Sequence, residues 1–404
     1  MNTRLVWTLA VLISAAMPGM AADSLDGRTI LLESGSQTSL HVPLSLPFDG
    51  TVADNLAIRV QEGKTGKEFP GTVRNGEFVF LPEGAMPNTK HTYTVKVNDD
   101  KHPPRVRIED NGKLEVFIDD ELFTAYYHSN DYKKPFLWPL LSEGGATITR
   151  DWPVGEKELS EDHPHHKSFW SAYGDVNGVD CWAEGENSGY QVSGEVTHGS
   201  GDAYGWIHAK NSWVDKEKKP ILAEEREYRF YPTPASSRLF DVTVTFTATE
   251  GDVLFKDTKE GGIVALRMRD CLNEKNGGTI TLDGGRVGGA ACWGKASPWC
   301  DYSGTIEGVG VRGVTVFDNP SNLRYPTCWH VRDYGLLGAN CFGLSYFTEK
   351  DSNRLNGDYT LKKGETLTFK YRILVHSGGA ADAKIEDRFA DYAKPPKVSW
   401  GEGK

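Results

Sequence analysis

The chain has 404 residues and a formal net charge of −11 at pH 7. An acidic chain without a basic block lacks the electrostatic footprint of a nucleic-acid binder, so no nucleic-acid partner is expected. Past the amino-terminal segment no run approaches the roughly 18 apolar residues that a spanning helix needs, so no membrane insertion is expected either.

In the amino-terminal segment, Arg4 precedes an apolar run from Leu5 to Ala16, and Pro18-Gly19 breaks it before Ala21-Ala22. That is the pattern of a secretory signal peptide over residues 1–22, which implies an exported protein, periplasmic or extracellular after cleavage. Residues 23–103 read as a small immunoglobulin-like or fibronectin-like β domain. Its apolar runs Thr29–Leu32, Leu40–Leu44, Ala57–Val60, Phe78–Leu81 and Thr92–Val97 are punctuated by Gly, Asn, Asp and Pro. No cluster of chemically active side chains falls there, which points to a structural role. Lys101-His102-Pro103-Pro104 reads as an extended, stiff linker.

A larger domain, residues 104–404, opens with a hairpin. Val106 and Ile108 alternate with polar residues, Asn111-Gly112 predicts a type I′ turn, and Leu114, Val116 and Ile118 alternate on the return. The same period of two marks strands at Phe240–Phe246 and Leu367–Ile373. A helix is predicted near Ala380–Ala393, where Ile385, Phe389 and Tyr392 share a face and Pro395-Pro396 ends it. The fold class is all-β: a large antiparallel β-sandwich preceded by a small β domain and followed by a C-terminal helix. Six cysteines without a CxxC motif allow 15 complete pairings, and sequence does not choose among them.

The densest chemistry lies in Arg150-Asp151-Trp152-Pro153 and Asp162-His163-Pro164-His165-His166, followed by Trp170. Clustered imidazoles suit proton transfer or metal ligation, because their ordinary pKa lies near neutrality. Further patches are Tyr126-Tyr127-His128 with Lys133-Lys134, Asp175–Glu184, Trp293–Tyr302, and Trp329-His330-Val331-Arg332-Asp333-Tyr334. The candidate catalytic residues are His128, Arg150, His165, His166, Glu260 and His330, with Arg150 expected to orient an anionic or hydroxyl-rich group. Asp162, Trp170, Trp182, Trp293, Trp299 and Tyr302 are candidates for substrate binding. Three chemistries compete: acid/base work on a carbohydrate, a metal site built from the histidines, and sugar binding without reaction. No cofactor is expected, although the histidines leave a divalent metal open. If the protein is a glycosidase, Glu184, Glu260, Asp301 and Asp318 are the candidate carboxylates. No GxSxG elbow and no strand–GxGxxG–helix context appears, so a serine hydrolase and a dinucleotide site are unsupported.

The runs Lys134–Leu140, Thr149–Pro153, Asp162–His166 and Gly174–Asp180 resemble the PmoA-like family, a domain of unknown function found in exported bacterial proteins. Asp257–Gly262, Trp299–Gly304 and Phe317–Pro320 follow in the same order, and the resemblance covers roughly residues 105–395. It implies no methane-oxidising membrane subunit. The closing strand Phe369–His376 looks more like the galactose-mutarotase-like supersandwich, shared by sugar epimerases, polysaccharide lyases and some glycosidases. That likeness implies a carbohydrate or sugar derivative as partner. It names no protein partner and assigns no catalytic residue.

Overall fold

The computed structural model describes residues 25–36, 39–53, 56–99, 103–153, 160–349 and 353–401. The expected signal peptide therefore lies outside the described residues, as do Lys101 and His102 of the expected linker. Strands account for 48% of the structure and helix for 8%, which makes the protein all-β. Two antiparallel sheets enclose the main core. In spatial order, the eight-stranded sheet contains Trp329–Val331, Leu336–Ala339, Gly261–Arg267, Phe169–Tyr173, Phe136–Leu137, Glu121–Tyr127, Leu114–Ile118 and Val106–Asp110. The nine-stranded sheet runs Tyr190–Gly199, Gly205–Val214, Pro220–Tyr231, Ser237–Thr247, Thr366–Ser377, Gly310–Asp318, Trp299–Ile306, Thr279–Leu282 and Arg286–Val287.

Alternation decides what each face carries. Phe240, Val242, Val244 and Phe246 turn into the core against Phe169, Tyr228, Phe369 and Tyr371, as the period of two requires of strands with one buried face. The opening hairpin forms with a different turn. Asp110 pairs with Leu114, so the loop spans residues 111–113, and of the two predicted turn residues only Gly112 (φ 82°) is left-handed. A type I′ turn needs positive φ at both central residues, so that expectation is corrected.

The outer face of the nine-stranded sheet is covered from two sides. The helix Ile385–Ala393 lays Ile385, Phe389 and Tyr392 against Trp299, Phe317 and Leu374. Val79 and Leu81 of the small domain dock nearby against Tyr204 and Tyr231. Ion pairs Arg59–Asp202 (2.8 Å) and Arg229–Glu77 (2.8 Å) fix that contact. The small domain is built on a seven-stranded sheet, and the chain's last described strand, Lys397–Trp400, supplies its edge by pairing with Thr29–Glu33. A division of the sequence at residue 103 does not anticipate this return. All six cysteines are free, and burial pushes the Cys300 thiol well above its ordinary value. With one outer face covered, the outer face of the eight-stranded sheet is left to carry the polar chemistry.

Candidate functional site

The histidine segment is held over that face by backbone bonds at both ends. Arg150 N–H donates to the Arg267 carbonyl (2.9 Å), and Arg267 N–H donates to the Ser168 carbonyl (3.0 Å). Between these anchors the chain turns back. His163 adopts a left-handed conformation (φ 48°), and His166 N–H donates to the His163 carbonyl (2.9 Å). The turn expected from Pro164 is present. Arg150 fills its interior, donating to the backbone carbonyls of Asp162 (2.7 Å), His163 (2.8 Å) and His166 (3.2 Å). The guanidinium is 1% exposed, so its role as a substrate-orienting group is corrected: it shapes the loop.

Two shared carboxylates organise the charges. Asp162 Oδ1 accepts from Arg150 (3.1 Å) and from Arg267 (2.6 Å), while Asp162 Oδ2 faces His163 Nδ1 (2.8 Å). Burial opposes the Asp162 charge, but Arg267 and the hydrogen bonds from His163 and Arg267 outweigh it and hold the carboxyl below its usual range. Glu184 stands between Lys134 (3.2 Å) and Lys167 (2.8 Å), both ammonium groups being buried. Burial draws Lys134 down to about 8, with Glu184 working against the shift.

The histidines sit inside this cationic frame. His166 stacks on Trp170 (5.4 Å between centroids) and meets His165 (4.5 Å) and Trp182 (5.4 Å) edge to face. Trp182 in turn reaches His330 (6.5 Å). Burial, then Lys134 and His163, lower His165 to about 4. Burial, then His165 and Arg267, hold His166 well below its ordinary value. Burial, then Arg332 and Lys259, take His330 to about 3. At neutral pH all three are uncharged imidazoles, and the same burial and cations make them weaker bases than a free imidazole. The expectation of near-neutral imidazoles needing little tuning is corrected, and the cause is desolvation beside fixed cations.

His165, His166, His330, Arg150 and Asp162 are thus brought together, and Glu260 joins them at the rim. Glu260 pairs with Lys259, is 46% exposed, and its charge reaches Tyr334. Tyr334 stacks against His163 (5.0 Å) and lies under the Arg267 guanidinium (4.6 Å). His128 is not part of the group. It stacks on Tyr126 (5.6 Å) on the core side of the sheet, with Asp110 and His198 as its charged neighbours. Chain parity explains this, since Tyr127 between them faces the outer side with Phe136 and Trp152.

The aromatic candidates divide in the same way. Trp170 and Trp182 are at most 2% exposed and form a floor beneath the histidines, so neither offers an open stacking face. Trp299 packs under the C-terminal helix, and Tyr302 lies in the main core with its hydroxyl accepting the Glu274 N–H (2.8 Å). Both are scaffold residues, and their assignment to substrate is corrected. Trp293 is half-buried, packs against the main core and Phe347 (5.4 Å), and carries Arg332 over its ring (5.2 Å). Of the candidate carboxylates, Asp301 and Asp318 are remote from the histidines. Asp301 binds His376 (2.7 Å) and Thr315 (2.8 Å), while Asp318 accepts from Asn322 (2.7 Å) and the Thr327 N–H (2.8 Å). Among the described residues no group of three or more His, Cys, Asp or Glu is placed to hold a metal ion.

The roles of Lys167, Arg267 and Tyr334 were not assigned from sequence. Arg267 had a readable signal, because it is the lone charge in the apolar strand Gly261–Arg267. An open groove of about 930 Å³ lies elsewhere, between the small domain and the main body. Its charged residues serve the contact itself, since Asp202 pairs with Arg59 and Arg74 stacks on Trp206 (3.7 Å).

The chain belongs to a family of unknown function, DUF6807, whose match covers residues 113–390. No curated protein matches it. Among solved structures, a protein in the glycosyl hydrolase family 38 from Enterococcus faecalis is 10% identical with a TM-score of 0.44, covering 93% of this chain and 47% of that one. An alpha-mannosidase from Enterococcus faecalis V583 is also 10% identical, with a TM-score of 0.40, covering 93% of this chain and 46% of that one. The chain spans about half the length of these solved proteins.

Proposed function

We propose that the protein is an exported carbohydrate-active enzyme whose site is the outer face of the eight-stranded sheet, with His165 as proton acceptor. The resemblance to the PmoA-like family and the amino-terminal segment belong to the same reading. One observation carries it: His165, the half-buried imidazole of the group, is kept neutral beside Glu184, Lys134 and Lys167. An uncharged imidazole has the free lone pair that a general base needs, and the negative charge forming on a sugar oxygen or activated carbon beside it would offset the cations that lower its basicity. The neighbouring buried ammonium groups stabilise the negative charge left behind. Proton abstraction begins an epimerisation or an elimination, so those reactions suit the geometry better than a hydrolysis that needs a protonated histidine. His166 is buried and packs the segment onto Trp170, while His330 is buried beside Trp182.

The alternative is a carbohydrate-binding accessory protein. It is favoured by Arg150, whose described donors go to the loop's own backbone and to Asp162, as in a rigid shelf. Turnover of a broad panel of glycans and free sugars by wild type and by His165→Ala separates the readings. Turnover lost in a folded His165→Ala supports the enzyme. Sugar binding without turnover in wild type replaces it with the binding protein.

A further inference from the structure

We propose that Arg332 is the substrate anchor of this site and that the sugar it takes carries an anionic substituent, a carboxylate or a sulfate ester. The inference rests on the reading of the site as a sugar site and specifies its substrate class.

Arg332 follows the strand Trp329–Val331 and is fixed by its backbone N–H, which donates to the Leu336 carbonyl (2.9 Å). Its guanidinium lies over the Trp293 indole (5.2 Å), half-buried, and its charge reaches both His330 and Tyr334. Every other cation named at the site has a carboxylate. Lys134 and Lys167 share Glu184, Arg150 and Arg267 share Asp162, and Lys259 has Glu260. Arg332 has no carboxylate within ion-pair distance among the described residues. Stacking on an indole restrains the guanidinium plane and leaves its N–H fork for a planar or tetrahedral oxyanion.

The surroundings point the same way. Among the described residues two carboxylates, Glu184 and Asp162, each serve two buried cations in a chain whose net charge is −11. Buried cations attract an anion more strongly than exposed ones, because water and salt screen them less. The indole nitrogens of Trp293 and Trp182 are also buried without a hydrogen-bond partner. Such groups are costly to leave unmade. That of Trp293 lies under Arg332, where an oxygen of a bound anionic sugar would satisfy it.

The test is calorimetry on the full exported chain with matched oligosaccharides of glucose, galactose and mannose, each neutral, as its uronate and as its sulfate ester. An anionic form is expected to bind at least about tenfold tighter than its neutral counterpart. Arg332→Gln should reduce that affinity to the neutral sugar's level, and Arg332→Lys should recover part of it. The uronate and sulfate arms identify which anion is read. Equal affinity for neutral and anionic forms, or a preference that survives Arg332→Gln, overturns the anionic class and leaves the sugar site standing. No binding in any arm overturns both.

Discussion

Replacing Glu184 with glutamine removes the carboxylate that two buried ammonium groups share. The side chains of Lys134 and Lys167 are 1% and 5% exposed, and Glu184 lies 3.2 Å and 2.8 Å from them. Burial already lowers Lys134 from 10.5 to about 8. At ~1.4 kcal/mol per unit, that shift costs the folded state about 3 kcal/mol below about pH 8, where the lysine is protonated in both states. Without Glu184 the folded lysine sheds its proton, which caps its cost at about 5 kcal/mol at neutral pH. Lys134 thus adds about 1–2 kcal/mol of destabilisation. Lys167 is also lowered first by burial and supported by Glu184, so its loss adds to that of Lys134; breaking a buried pair costs about 3–5 kcal/mol. Urea unfolding followed by tryptophan fluorescence at about pH 7 and about pH 9.5 reads both the loss and its sign. In wild type the unfolded chain holds a proton that folded Lys134 has released between about 8 and 10.5, so stability rises with pH across that window. In Glu184→Gln the rise should begin at lower pH. A loss under about 1 kcal/mol with an unchanged pH slope would refute the view that Glu184 holds the two lysines.

Three further outcomes are expected. His330, held at about 3 against an ordinary 6.5, contributes stability that is full above pH 6.5 and is lost as pH falls towards 3, up to about 5 kcal/mol. His330→Phe should flatten that acid limb in pH-dependent melts, and a superimposable limb would sink the assignment. Tyr334→Leu removes the half-buried ring that links His163 to the rim. Sugar affinity by calorimetry should fall about tenfold, and an unaltered affinity would exclude Tyr334 from the binding surface. Trp400→Ala removes a ring that contacts Phe78 (5.5 Å) and Arg28 (5.2 Å) and donates to the Pro47 carbonyl (2.9 Å). It should cost the small domain about 2 kcal/mol, seen as faster hydrogen exchange at residues 29–33. Unchanged exchange there would mean that the returning strand is not held by Trp400.

The all-β class, the strands at 240–246 and 367–373 and the C-terminal helix were legible in the sequence. Alternation of period two and an i, i+4, i+7 apolar face are local properties that sheet and helix geometry impose on any chain. The density of His, Arg and Trp between residues 150 and 170 was legible for the same reason, because those residues are neighbours along the chain. What only the tertiary structure decided depends on neighbours across the sheets. It sets His128 on the core side, apart from His165, His166 and His330, and buries Trp299 under a helix. It seats Arg267 against Asp162, a contact spanning more than one hundred residues of chain. It also reverses the expected state of the histidines. An imidazole's intrinsic pKa is a property of the side chain, but its value in the fold follows from desolvation and from cations that strands far apart in sequence bring beside it.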